Sequence, residues 1–249
     1  MALRPLATGR RALRALYTDV ETAAAAVARL MAQPHIPSML EFMDGECVRL
    51  AREIGGVDIP AAGALLMIEA DGDASTLDAA VAALESAASG PGLIALTTAP
   101  DETAREALWS ARKALSPALR SIAAGKINED VVVPVSRIPA LVSGITALAR
   151  EFDLSIVNFG HVGNGNLHVN ILYNPADAAH SARAHAVLPR VFELTLALGG
   201  TLSGEHGIGL GKRAFMTRAH SLQTLALMRA VKASFDPDGI LNPGKLLPD

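Results

Sequence analysis

Segments typical of strands alternate with segments typical of helices along the chain, and this alternation constrains the fold more than any other feature. Residues 63–73 (GALLMIEADGD) are an apolar run typical of a strand. Residues 75–89 are typical of an alanine-rich helix, for which Ser75 or Thr76 is the expected N-cap. In the first half, strands are predicted at 12–20, 37–44, 63–73 and 91–100, and helices at 21–33, 45–55, 75–89 and 101–123. This order favours a split βαβ unit of the ferredoxin-like type.

The second half contains further strand and helix segments and two glycine-rich turns. Strands are predicted at 127–139, 154–159 and 166–174, and helices at 138–152, 177–198 and 221–235. A turn (GHVGNG) joins the last two strands, and a longer glycine-rich loop covers 199–212. The predicted fold class is therefore α+β, a ferredoxin-like antiparallel sheet covered by helices, with duplication of the unit left open.

Composition excludes several classes of protein. The chain has 249 residues, of which 50% are hydrophobic and 19% charged, with a net charge of −3. This indicates one large domain or two small ones, and gives no basic surface for nucleic acid. Cys47 is the single cysteine, so a reducing compartment such as the cytoplasm is expected. No apolar run reaches the length of a membrane span, and the arginine-rich start is interpreted as part of the fold rather than a transit peptide.

Two histidines flank the turn between the last two predicted strands. His161 ends the first of them, and His168 lies in the second, on the same face as Asn170 because side chains alternate along a strand. An antiparallel hairpin would bring the two imidazoles opposite each other. Two histidines that hydrogen-bond at the surface are the alternative on spacing alone.

A third polar element is the segment SGEHGIG. Glu205, held in a glycine-rich turn, could complete a His₂-Glu ligand set that leaves a coordination position open. His206 would then be free to act as a base. The nearby GIGLGKR is not a phosphate loop, because Arg213 stands where serine or threonine is required after Lys212.

Three motifs in one order (GHVGNGNLHVN, SGEHGIGLGK and DPDGILNPGK) resemble the C-terminal domain of FAD-linked oxidases, as do the upstream ALWSARKAL and INEDVVVPVSRIP. The resemblance is to D-2-hydroxyacid dehydrogenases of the vanillyl-alcohol oxidase type, which act on D-lactate, glycolate or D-2-hydroxyglutarate. It covers essentially the whole chain. It implies that residues 1–249 are the substrate or cap domain, and that the FAD-binding domain is absent from this sequence.

The resemblance also implies a role for each matching residue. His161, His168 and Glu205 correspond to ligands of a divalent metal, zinc or manganese, and His206 corresponds to the catalytic base. One departure lies in the turn, where Asn164 replaces the usual aspartate. If that position only forms the turn, asparagine serves equally well; if its charge tunes a ligand, metal affinity falls.

Further positions match residues that bind the substrate. Arg112 and Lys126 are implied to hold the substrate carboxylate, Asn170 to contact the substrate, and Ser116 to replace a threonine in a weaker match. On the residues alone, Arg112 and Lys126 would be interpreted as solvated surface groups.

The tail residues Asn242 and Lys245 are implied to lie near the flavin. The predicted function is thus the substrate- and metal-binding portion of a flavin-dependent D-2-hydroxyacid dehydrogenase, which oxidises a 2-hydroxy acid to a 2-oxo acid. Its partners would be a domain or subunit that binds FAD and an unidentified electron acceptor. The alternatives are a metal-dependent carboxylate-binding module without redox chemistry and, third, a His₂-Glu hydrolase.

Overall fold

The computed structural model describes residues 7–248, apart from the side chains of residues 74, 116 and 120. The strands are β1 (Gly9–Tyr17), β2 (Met39–Asp44), β3 (Ala64–Gly72), β4 (Leu93–Thr98), β5 (Gly125–Val132), β6 (Ser155–Gly160) and β7 (Asn166–Tyr173). The helices are α1 (Val20–Ala32), α2 (Gly45–Glu53), α3 (Ala74–Ala88), α4 (Glu102–Ile122), α5 (Ile138–Glu151), α6 (Ala178–Ala197), α7 (Gly209–Lys212), α8 (Met216–Ala219) and α9 (Leu222–Phe235). Each predicted strand and helix therefore has a counterpart.

The described strands form one seven-stranded sheet in the order β4-β1-β3-β2-β6-β7-β5. The paired strands are antiparallel. In the first half, the order 4-1-3-2 is that of a ferredoxin-like unit. The second half arranges β5, β6 and β7 like strands 1, 2 and 3 of a second such unit. The two units meet where β2 pairs with β6, so the predicted α+β antiparallel fold is confirmed and the unit is partly repeated.

Helices cover both faces of the sheet and enclose two cores. One core lies beneath α1, α3, α5 and α6 and contains the large buried side chains of Tyr17, Phe42 and Phe192. The other lies beneath α2 and α4 and contains Met43 and Leu115. Since side chains alternate along a strand, β2, β6 and β7 each present one row of residues to α2 and α4. The candidate site lies on this second face.

Some details differ from the sequence predictions. The strand predicted at 127–139 ends at Val132, and α5 begins at Ile138. Asp73, rather than Ser75 or Thr76, is the N-cap of α3; Thr76 instead donates from its hydroxyl to the carbonyl of Asp73. The glycine-rich loop is shorter than predicted, because its last four residues, Gly209–Lys212, form α7. β1 covers Gly9–Tyr17 rather than residues 12–20, and from Gly9 onward this agrees with the interpretation of the arginine-rich start as part of the fold. Within the described residues, no helix combines the length and apolar character required to cross a membrane.

Candidate functional site

The hairpin of β6 and β7 positions the two histidines. His168 pairs with Phe159 across the hairpin, and His161 follows the end of β6. Gly165 closes the turn with a left-handed φ of 81°, and a Cβ there would lie 2.0 Å from the carbonyl oxygen of Val133. Because only glycine fits this position without a clash, the backbone itself fixes the two imidazoles relative to each other.

Asn164 takes part in the same turn. Its Oδ1 accepts a hydrogen bond from the backbone N–H of Asn166 at 3.3 Å. This is the short-range bond by which asparagine commonly stabilises a turn. The observed contact agrees with the turn-forming alternative for this position.

Two histidines and a glutamate converge beyond the hairpin. Glu205 Oε1 lies 3.3 Å from His168 Nε2 and 3.7 Å from His161 Nε2, and one ligand atom from each residue lies within 4.8 Å of the others. Ligands at 2.0–2.2 Å around a tetrahedral metal are about 3.3 Å apart. The spacing and the N,N,O donor set thus fit a divalent cation. His168 is buried whereas Glu205 is exposed, which leaves one side of the cluster open to solvent.

The protonation of His168 also suits a ligand. Burial lowers its pKa, and the neighbouring His161 lowers it further, so the neutral imidazole is favoured. Its buried Nδ1 has no hydrogen-bond partner among the described residues. Its Nε2 is the atom that faces Glu205.

Asp130 fixes the loop that carries Glu205 and His206. It lies opposite His168 in the pairing of β5 with β7 and is fully buried. Its Oδ2 accepts hydrogen bonds from the backbone N–H groups of Gly204 (2.8 Å), Glu205 (2.5 Å) and His206 (2.8 Å). This single carboxylate therefore holds the backbone from which the side chains of Glu205 and His206 extend.

Lys212 and Ser203 complete the surroundings of Asp130. The Lys212 ammonium is buried and binds Asp130 Oδ1, and the Ser203 hydroxyl donates to both carboxylate oxygens. Burial alone would raise the pKa of Asp130, but the bonds from Lys212 and from the loop N–H groups hold that pKa well below its usual range. His206 Nδ1 lies 3.4 Å from Asp130 Oδ1. No motif in the sequence indicated Asp130, although an acidic residue directly before a run of valines in a predicted strand was a usable signal.

Arg112 reaches the cluster from α4. Its guanidinium carbon lies 4.4 Å from the centroid of the Phe159 ring, and its Nε donates to Glu41 Oε2 at 3.1 Å. Glu41 in turn binds His161 Nδ1 through its other oxygen. No motif in the sequence indicated Glu41, which lies on β2 in the other half of the chain.

Asn170 and Lys126 share the face of His168 at increasing distance. Asn170 is fully buried and donates from Nδ2 to the carbonyls of Val157 (3.1 Å) and His168 (3.2 Å). Lys126 lies on β5, where it pairs with Leu172 of β7. It precedes Asp130 by four residues, so the Cα atoms of Lys126 and Asp130 are about 13 Å apart. Asn128, opposite Asn170, lies between them on the same face.

The remaining sequence-predicted residues lie elsewhere or outside the description. The side chain of Ser116 is outside the described part of the chain. Asn242 and Lys245 are exposed in the tail after α9, where Lys245 Nζ donates to Asn242 Oδ1 at 3.4 Å. The structure records no contact of either residue with the histidine cluster within residues 7–248.

The fold and the site together define an α+β domain with a candidate metal centre beside an arginine. Residues 7–246 match the family described as FAD linked oxidases, C-terminal domain. The chain belongs to this family, which confirms the resemblance inferred from its motifs.

Individual relatives agree with this assignment. The chain is 34% identical over 245 residues to the glycolate oxidase subunit GlcD of Bacillus subtilis, covering 98% of this chain and 52% of that protein. It is 30% identical over 234 residues to a probable mitochondrial D-lactate dehydrogenase of Danio rerio, covering 93% of this chain and 47% of that protein. The chain thus spans about half the length of these curated relatives.

A solved structure has the same fold. The crystal structure of p-cresol methylhydroxylase with substrate bound matches with a TM-score of 0.74 at 13% identity, over 98% of this chain and 53% of that one. At this identity, the likeness concerns the fold alone.

Proposed function

We propose that this chain is the substrate- and metal-binding portion of a flavin-dependent D-2-hydroxyacid dehydrogenase, with residues 1–249 forming one substrate domain. The observation that carries the proposal is the convergence of His161, His168 and Glu205 within 4.8 Å, with Arg112 bound to the same cluster through Glu41. The relatives named glycolate oxidase and D-lactate dehydrogenase support a small 2-hydroxy acid as substrate.

His161, His168 and Glu205 would hold a divalent zinc or manganese ion. Such an ion supplies a Lewis acid that lowers the pKa of a substrate hydroxyl. Arg112 would bind the substrate carboxylate: its bond to Glu41 uses Nε, which leaves both Nη groups to donate in parallel. Asn170, Lys126 and Ser116 would contribute further substrate contacts, as the family resemblance implies.

His206 would accept the hydroxyl proton. With Nδ1 directed at Asp130 Oδ1, its Nε2 is the nitrogen that can take a proton from substrate. The ring stacks on His168, with centroids 5.3 Å apart and planes at 18°, which places it beside the cluster. The oxidation would then be balanced by loss of the hydroxyl proton to His206 and of a hydride from the carbon that bears the hydroxyl.

FAD, when bound by the complete enzyme, would supply the hydride acceptor, since no protein side chain can take up a hydride. Asn242 and Lys245 are exposed hydrogen-bonding groups that suit a contact with the flavin but do not enclose a cofactor. We therefore assign FAD binding mainly to a separate domain or subunit. The reduced flavin would pass its electrons to an acceptor that is not identified. The buried, unpaired Cys47 is consistent with a reducing compartment, for which we propose the cytoplasm.

Absorption spectroscopy tests this proposal. The purified chain is expected to be colourless near 450 nm, and to gain dye reduction with D-lactate or glycolate only when a flavin domain of the family is added. The matched control is a His206→Gln chain, which should bind the flavin domain and remain inactive. If D-lactate raises the Tm of the metal-loaded chain while no flavin domain restores dye reduction, the carboxylate-binding module is the correct function. A flavin absorption band in the isolated chain would contradict the proposal that a separate domain or subunit holds the FAD.

A further inference from the structure

Glu41 is a buried carboxylate between two groups of the proposed site. It is 2% exposed and lies on β2 at the junction of the two halves of the sheet. There, Phe42 pairs with Gly160 and Met43 with Phe159, which brings residue 41 beside His161. One carboxylate oxygen binds His161 Nδ1, and the other accepts from Arg112 Nε at 3.1 Å.

The chemistry of these contacts fixes the proton on His161. An ionised carboxylate can only accept hydrogen bonds, so His161 Nδ1 must carry the hydrogen that it shares with Glu41. In the neutral imidazole, Nε2 then holds the lone pair, and Nε2 is the atom that lies 3.7 Å from Glu205 Oε1. With its second oxygen on Arg112, Glu41 has both oxygens in use.

We propose that Glu41 is a positioning residue that holds His161 in the Nδ1–H tautomer and, at the same time, holds Arg112 over Phe159. One side chain thereby ties the proposed metal ligand to the proposed carboxylate-binding arginine. This inference rests on the proposed function and extends it to a residue on the opposite half of the fold. When a carboxylate binds the second ring nitrogen of a metal-ligating histidine, its removal typically lowers metal affinity about 10- to 100-fold.

Glu69 offers a matched control on the neighbouring strand. It is also buried, at 5% exposure, and its Oε1 accepts from Arg105 Nη1 at 2.7 Å and from Trp109 Nε1 at 2.7 Å. Arg105 and Trp109 belong to α4, the same helix that carries Arg112. Glu69→Gln therefore disturbs a comparable buried carboxylate beneath the same helix, but not one that binds a histidine.

The test measures two properties of the full chain in the wild type, Glu41→Ala, Glu41→Gln and Glu69→Gln. Long-range ¹H–¹⁵N spectra report the tautomer of His161, and calorimetry reports the Kd for Zn²⁺. The wild type should show the Nδ1–H tautomer. Glu41→Ala should lose this preference and raise the Kd for Zn²⁺ about 10- to 100-fold. Glu69→Gln should match the wild type in both properties.

Glu41→Gln keeps the test decisive if the alanine variant does not fold. An amide has one accepting oxygen, so it can serve either His161 Nδ1 or Arg112 Nε, but not both. Either the tautomer of His161 or the Nε–H resonance of Arg112 should therefore shift. A folded Glu41 variant with unchanged tautomer, Arg112 resonance and Kd for Zn²⁺ would overturn the inference and leave the proposed function standing. A wild-type chain that binds neither Zn²⁺ nor Mn²⁺ would overturn both.

Discussion

Replacing Asp130 with asparagine keeps the shape of the side chain but exchanges one accepting oxygen for an amide that can only donate. In the native protein, Oδ1 accepts from Lys212 and Ser203, and Oδ2 accepts from the backbone N–H groups of residues 204, 205 and 206. Whichever way the amide turns, its NH₂ group meets donors. The negative charge opposite the buried Lys212 is also lost.

We expect this substitution to lower the free energy of unfolding by about 3 kcal/mol. Removing one partner of a buried ion pair lowers the free energy of unfolding by about 3–5 kcal/mol, because an uncompensated charge remains in the protein interior. The lower end applies here since Glu129 Oε2, 3.2 Å from Lys212 Nζ, still pairs with the ammonium. Because the N–H groups of Glu205 and His206 lose their anchor, the Kd for Zn²⁺ should rise by about tenfold or more.

Urea unfolding and zinc calorimetry at pH 7 measure both effects, with Asp44→Asn as control. Asp44 is likewise buried and accepts backbone N–H bonds, from Cys47 at 2.9 Å and Asn158 at 2.6 Å, but it does not contact the 203–206 loop. The control should leave the Kd for Zn²⁺ unchanged. An Asp130→Asn protein that loses stability but keeps the wild-type Kd for Zn²⁺ would refute the argument that this carboxylate positions the loop.

Three further perturbations have defined outcomes. Burial raises the pKa of Asp44 to about 6, from 3.8; since the folded protein binds this proton more tightly, Asp44 should make stability fall by roughly 3 kcal/mol as pH rises from about 4 to 6. Urea titrations should show that Asp44→Asn removes this slope, and an unchanged slope would refute it. Gly165→Ala places Cβ against a backbone carbonyl and should lower the free energy of unfolding by more than 2 kcal/mol, whereas Gly56→Ala, with φ 65° and open space, should cost about 1 kcal/mol; equal losses in thermal melts would contradict this. Arg112→Lys removes the Nε bond to Glu41 and should raise the Kd for D-lactate about tenfold by calorimetry, while an unchanged Kd would exclude Arg112 from substrate binding.

The sequence predicted much of the fold because its local signals agree with the tertiary structure. The alternation of apolar residues in β7 and the glycines around His161 indicated a hairpin, and the structure brings His161 and His168 together there. Glu205 was identified through its glycine-rich surroundings and the family resemblance, and it meets both histidines. Metal binding by His161, His168 and Glu205 remains a prediction.

What the sequence did not predict depends on pairings between distant segments. Glu41 approaches His161 only because β2 pairs with β6 across the two halves of the sheet, a junction that no local pattern encodes. Asp130 and Lys212 meet because the loop after α6 folds back over β5. In the sequence, Lys212 drew attention only through a segment that does not match a phosphate loop, so its ion pair with Asp130 was not predicted. The carboxylates that organise the site were therefore outside the reach of motif reasoning.

A calorimetric titration of the metal-free chain with Zn²⁺, repeated with His168→Ala, tests the proposed metal centre most directly. His168 contributes the buried nitrogen of the cluster, with Nε2 3.3 Å from Glu205 Oε1. We expect one tightly bound Zn²⁺ per wild-type chain and a loss of affinity of about a hundredfold or more in the variant, because a metal ligand is removed. Equal zinc binding by both proteins, or none by the wild type, would contradict the proposed metal centre.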